Sequence, residues 1–76
     1  MKFLIEAAAQ LIVDQPDKVR INEIESPHTI VFELSVDKND LGKIIGAKGR
    51  NISAIRTIMS ALAGKIKKRI IVEIVE

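Results

Sequence analysis

The chain of 76 residues contains no cysteine, no tryptophan and no tyrosine, and only one histidine and two phenylalanines. Without cysteine there can be neither disulfides nor thiolate metal sites, and a reducing cytoplasm is the natural setting. Phe3 and Phe32 both fall at positions that read as core, so stacking of bases on an aromatic platform is excluded as a main mode of recognition. His28 stands alone in the turn Ser26-Pro27-His28; with no further nitrogen, oxygen or sulfur ligand converging on it, it reads as a solvated turn residue and not as a metal ligand. No apolar run approaches the ~20 residues needed to cross a bilayer. The opening Met1-Lys2-Phe3-Leu4-Ile5 has the look of a secretory leader, but Glu6 and Gln10 interrupt it and Asp14 stands where a cleavage site needs small residues. No lipidation motif is present. Catalysis is not expected: the histidine has no nucleophile in a recognisable arrangement and no carboxylate pair lies in a glycine-rich context. Nothing implies a cofactor or a small-molecule substrate.

What the chain does have is a composition of 47% hydrophobic and 29% charged residues, which is globular and not disordered. A chain near this length buries only about 60% of its unfolded surface, so residues 1–76 are expected to form a single domain around one core. Its charge is lopsided. Residues 1–36 carry three Lys/Arg against six Asp/Glu, and residues 37–76 carry nine against four. The basic half offers an electrostatic footprint for a polyanion, the alternative being an ordinary solvated face.

Periodicity predicts a helix over residues 2–13 with Leu4, Ala8, Leu11 and Ile12 on its buried face. Gln15-Pro16-Asp17 should end it. A strand follows from Val19, but Glu23-Ile24 slips the alternation by one, which predicts a bulge or a poorly ordered edge. After the turn, Ile30, Phe32, Leu34 and Val36 alternate toward the core, and Thr29, Val31, Glu33 and Ser35 away from it. Asp37, Asn39 and Asp40 are N-cap types before a short helix ending at Gly46. A longer helix over 50–63 carries Ile52, Ile55, Met59 and Leu62 on its core stripe, with Gly64 placed to cap it. The β-branched run Ile70 to Val75 is a strand. The fold class is α+β, in the order α-β-β-α-α-β.

The joint between the two later helices is the sequence Ile44-Ile45-Gly46-Ala47-Lys48-Gly49-Arg50-Asn51-Ile52. Two glycines separated by two residues allow positive φ and a close approach by another chain. Lys48, Arg50 and the free N–H groups of the helix that follows all favour a phosphate. Alone, the pattern is equally a helix C-cap. Its setting, a strand, a short helix, GxxG, a longer helix and a strand over residues 29–75, resembles the KH domain, the module that clamps about four backbone nucleotides with a GxxG loop.

The resemblance covers the whole chain and implies the type II KH fold, three helices on one face of a three-stranded mixed sheet. It is similar in size to the small stand-alone bacterial KH proteins of the KhpA type. That likeness implies a cytoplasmic protein that binds single-stranded RNA as a post-transcriptional regulator or RNA chaperone, as a homodimer or with a larger KH-containing partner of the KhpB or Jag type. Carried onto this sequence, Gly46 and Gly49 are the loop glycines, Ala47 and Lys48 the variable pair, and Lys43 and Arg50 flank the groove. Ile44, Ile45 and Ile52 each either floor that groove or belong to the core, and Ile45 and Ile52 are assigned to its margin. The other functional reading is an assembly module that keeps the fold and binds protein with little RNA binding. On the longer helix a second stripe, Asn51, Ala54, Ile58, Ala61 and Lys65, sets Ile58 between two alanines; Ala54, Ile58 and Ala61 form either a dimer interface or an isolated exposed isoleucine.

Overall fold

The computed structural model describes residues 1–75. Helix α1 (Lys2–Ile12) is built from alanine, leucine, glutamate and glutamine, strong helix formers, and stops where Val13 turns extended at φ −87°, ψ 160°. Its buried face is Ile5 and Ala9 with Ala8 and Ile12 beside them. Leu4 and Leu11 are instead 44% and 88% exposed. The helix carries two overlapping apolar stripes about one residue apart, each with an alanine at its centre, and the one containing Ile5 and Ala9 is turned to the sheet. Phe3 is 74% exposed, not core: two residues before Ile5, it lies on the far side of the helix.

Strands β1 (Arg20–Glu25) and β2 (Thr29–Ser35) pair antiparallel without interruption from Arg20↔Ser35 to Glu25↔Ile30. No bulge occurs at Glu23-Ile24; Ile24 simply joins the uncovered face of the sheet, opposite Val31. After β2, the Asp37 carboxylate accepts the Asn39 N–H at 3.0 Å and leads into the short helix α2 (Leu41–Ile45). Asp40 makes no capping bond to α2. Only 2% exposed, it accepts the Gln15 N–H at 3.0 Å, stitching the segment after α1 to the base of α2.

Helix α3 (Arg50–Ile66) runs past Gly64 and ends at Lys67, which adopts φ 57°, ψ 37°. The predicted stop at Gly64 fails because α3 is the crossover between parallel strands and must return the length of the sheet; one glycine costs only about 1 kcal/mol against that. Strand β3 (Arg69–Ile74) then pairs parallel with β2, from Thr29↔Arg69 to Leu34↔Ile74, giving the order β1-β2-β3. Phe32, Leu34, Ile44 and Met59 are essentially sealed; Phe32 and Met59 pack with Ile5, Ile30, Ile52, Ile55 and Val72 in the larger core cluster, and Leu34 and Ile44 with Ala9, Val13 and Val19 in a second. All three helices therefore cover one face of a mixed sheet. The opposite face presents Ile24, Val31 and Ile71 in one cross-strand row.

Candidate nucleic-acid interface

Between α2 and α3 the chain makes one 3₁₀ turn, Ala47–Gly49, held by Gly46 N–H to Gly42 O at 2.9 Å and Gly49 N–H to Gly46 O at 3.0 Å. Gly46 sits at φ 77°, ψ 169°, and Lys48 and Gly49 are both left-handed, at φ 57° and 71°. A lysine in that region carries about 1–2 kcal/mol of strain, which this short turn imposes on it. Ala47 and Lys48 project into solvent and Arg50 opens α3 beside them. The turn sets two cationic side chains beside the N-terminal end of α3, an arrangement suited to an anion.

Asn51, overlooked in the sequence reading as a site residue, locks the turn. Its Nδ2 donates to the Lys43 carbonyl at 2.7 Å, satisfying the C-terminal end of α2 from the first turn of α3. The same side chain fills the space that a Cβ on Gly46 would occupy, at 2.8 Å from the Asn51 Cγ. Gly46 is thus required both by its backbone angles and by its neighbour, whereas a Cβ on Gly49 would meet open space.

The expected flanking residues separate. Ile45 is 38% exposed at the end of α2 and remains available to a ligand; Ile44 is fully buried. Ile52 is only 6% exposed: of the two roles expected for it, groove or core, its packing on the first turn of α3 is that of the core cluster. Lys43 forms an ion pair with Asp14. The hydrogen bond that Lys43 Nζ donates to that carboxylate raises the Lys43 pKa above the ordinary lysine value, against desolvation and with help from the charges of Asp14 and Asp40. Its charge is partly satisfied within the protein.

Two hollows flank α2 and α3, one of which opens from the loop. One, of about 500 Å³, is an open trough lined by Lys48, Gly49, Arg50, Ser53, Ala54, Thr57 and Ile58. The other, of about 390 Å³ and mostly apolar, lies between α2 and the end of β3 and is lined by Val36, Lys38, Leu41 and Val75; Ile45 follows Leu41 by one helical turn on the same face. Arg56, also absent from the sequence reading, donates from Nε and Nη2 to the Val72 carbonyl at 3.2 and 3.1 Å. Arg69 and Val75 bond through their N–H groups to His28 and Leu34, so the alternate carbonyl of Val72 points to the free edge of β3, where Arg56 covers it.

Ala54, Ile58 and Ala61 are exposed on α3, Ile58 by 50%. Leu4 of α1 borders Ile58 across a small gap lined also by Ile5, Ala8, Ile55 and Met59. The apolar surface is therefore shared by two helices, and the contribution of α1 follows from the rotation of that helix. Among the described residues no group of His, Cys, Asp or Glu is placed to hold a metal, and no helix is long and apolar enough to cross a membrane.

The family model described as KhpA/KhpB, KH domain, matches residues 2–74. Proteins named RNA-binding protein KhpA are similar along their length: that of Aquifex aeolicus is 49% identical over 76 residues, all of this chain and 96% of the relative. That of Chlamydia pneumoniae is 46% identical over 76 residues, covering 97% of the relative, and that of Caldanaerobacter subterraneus is 49% identical over 75 residues, covering all of it. No solved structure matches the chain.

Proposed function

The chain belongs to the KhpA/KhpB KH-domain family, which is not a family of enzymes, and on that premise we propose that it binds single-stranded RNA by clamping the backbone at the Gly46–Gly49 turn. The relatives' shared name, RNA-binding protein KhpA, supports the class of ligand. The observation that carries the mechanism is the turn itself: three positive-φ sites in four residues, Gly46, Lys48 and Gly49, let another chain approach the backbone closely between the charges of Lys48 and Arg50. A single-stranded phosphodiester with unpaired bases fits such a site; a duplex, whose base edges are already engaged in pairing, fits it poorly. The apolar hollow beside Leu41 and Ile45 supplies a surface for a base, and the free edge of β3 supplies backbone groups for it.

Binding through one small clamp is weak, so useful affinity calls for two copies or a second RNA-binding chain. The surface shared by Leu4, Ala54, Ile58 and Ala61 supports association through α1 and α3, as a homodimer or with a larger KH-containing protein, in the cytoplasm, in a post-transcriptional or RNA-chaperone role. It equally favours the second reading, a protein-assembly module. A salt titration separates them: single-stranded RNA should bind with an affinity that falls steeply between low and physiological salt, and duplex RNA should compete poorly. A flat salt slope, or equal affinity for duplex, removes the clamp from the account.

A further inference from the structure

Between Asp40 and Glu73 the chain has no acidic residue, yet it carries Lys43, Lys48, Arg50, Arg56, Lys65, Lys67, Lys68 and Arg69. Helix α3 lies wholly inside this stretch. A solvated helix of its length ordinarily mixes both signs, because pairs four residues apart add a few tenths of a kcal/mol each. This one forgoes them and accepts mutual repulsion.

The positions left by the core stripe and the apolar stripe form a third row, Arg50, Ser53, Thr57, Ser60, Gly64 and Lys67, spaced alternately by three and four residues and exposed throughout. Its first half is the floor of the 500 Å³ trough that opens from the loop. Its far end meets Lys65, Lys67 and Arg69, which have no ion-pair partner among the described residues; Lys68 pairs with Glu25. No large side chain interrupts the row between its two basic ends, about 25 Å apart along the helix.

We propose that RNA leaving the loop continues along this row of α3 and that the basic corner at Lys65, Lys67 and Arg69 is a second phosphate-binding site, extending the footprint beyond the nucleotides held by the turn. The inference rests on the RNA-binding reading and goes past it, since the loop alone accounts for only a short segment. A phosphodiester chain suits the row better than a protein partner does, because the row's own positions offer hydroxyls and positive charge, the apolar Ala54 and Ile58 forming only one wall of the trough at its first half.

The test uses the full chain and random-sequence single-stranded oligoribonucleotides of two lengths, about four nucleotides, as a KH loop clamps, and about twelve. Two variants change the row without touching the loop: Ser60→Glu places an anion in its middle, and Lys67→Asn removes the far charge with a residue that tolerates the left-handed backbone there. Both variants should bind the short RNA as wild type does and lose about three- to tenfold for the long one, with the salt slope of Lys67→Asn lower by about 1. Amide resonances over residues 57–67 should shift with the long RNA and stay put with the short. Unchanged affinity and slope for the long RNA overturn the proposal, as does equal loss at both lengths, which would mean a disturbed loop. A variant that keeps RNA affinity but loses self-association overturns it in favour of protein docking. A wild type that binds neither length rejects RNA binding itself, a result distinct from failure of the row alone.

Discussion

Gly46 and Gly49 occupy one turn but answer to different constraints. At Gly46 an alanine would combine φ 77° with a contact of 2.8 Å to Asn51, so Gly46→Ala should lower stability by about 1–3 kcal/mol and disturb the loop. Gly49 is left-handed but open, and Gly49→Ala should cost about 1 kcal/mol. Thermal unfolding of the pair tests the order; equal losses would mean that Asn51 yields freely. Replacing Ala47 and Lys48 together by aspartate sets two anions on an exposed turn, which should abolish RNA binding and leave the circular dichroism unchanged. Wild-type affinity in that folded double variant excludes the clamp. Nothing local marks Lys48 as left-handed, whereas the glycines are legible in the sequence because their spacing permits positive φ and their setting between two helices singles out the turn. Asn51 and Arg56 are not: what they bond, the Lys43 and Val72 carbonyls, lies eight and sixteen residues away, and no local pattern announces a partner at that distance.

Among the elements, α3 carries three stripes on one cylinder, and its length is where sequence and structure part. Gly64 reads as a cap by its residue type, but the demands of the crossover are tertiary and leave no local mark. Since a Cβ on Gly64 meets nothing within 4 Å and the residue is inside the helix, Gly64→Ala should stabilise the protein by about 1 kcal/mol. For a domain this small that is a rise in melting temperature of about 4–8 °C; a fall would place the helix end at Gly64 after all. The face of α1 was ambiguous for a similar reason. Its two candidate stripes both satisfy the helical period and both carry an alanine, so only the tertiary packing against the sheet selects Ile5 and Ala9. The strands were easier: period-two alternation in β2 admits one register, and the slip in β1 reflects an isoleucine on the uncovered face, a choice periodicity cannot distinguish from a bulge.

At the scale of the molecule, the element order and the mixed sheet were legible because each turn or helix length permits few connections. The surface between α1 and α3 was legible only in part, through Ala54, Ile58 and Ala61, since Leu4 had been counted as core. Two copies facing each other across a two-fold axis would bring Ile58 near its own copy. Ile58→Asp then buries like charges at the centre and should give a folded monomer with weaker RNA binding through lost bivalency. Sedimentation decides it: wild type that runs as a monomer at tens of micromolar, or a variant that still runs as a dimer, rules the surface out. The sheet order has a consequence for how the molecule assembles in time. The antiparallel pair β1–β2 closes over residues 26–28, whereas β3 can join only after residues 36–68 have been brought round. Closure of the longer segment costs about 2 kcal/mol more in chain entropy, so the hairpin is the inexpensive nucleus and β3 the late arrival. The turn that would grip RNA lies inside the segment that closes last, so a nascent or partly folded chain has no clamp, and the capacity to bind emerges only with the final strand.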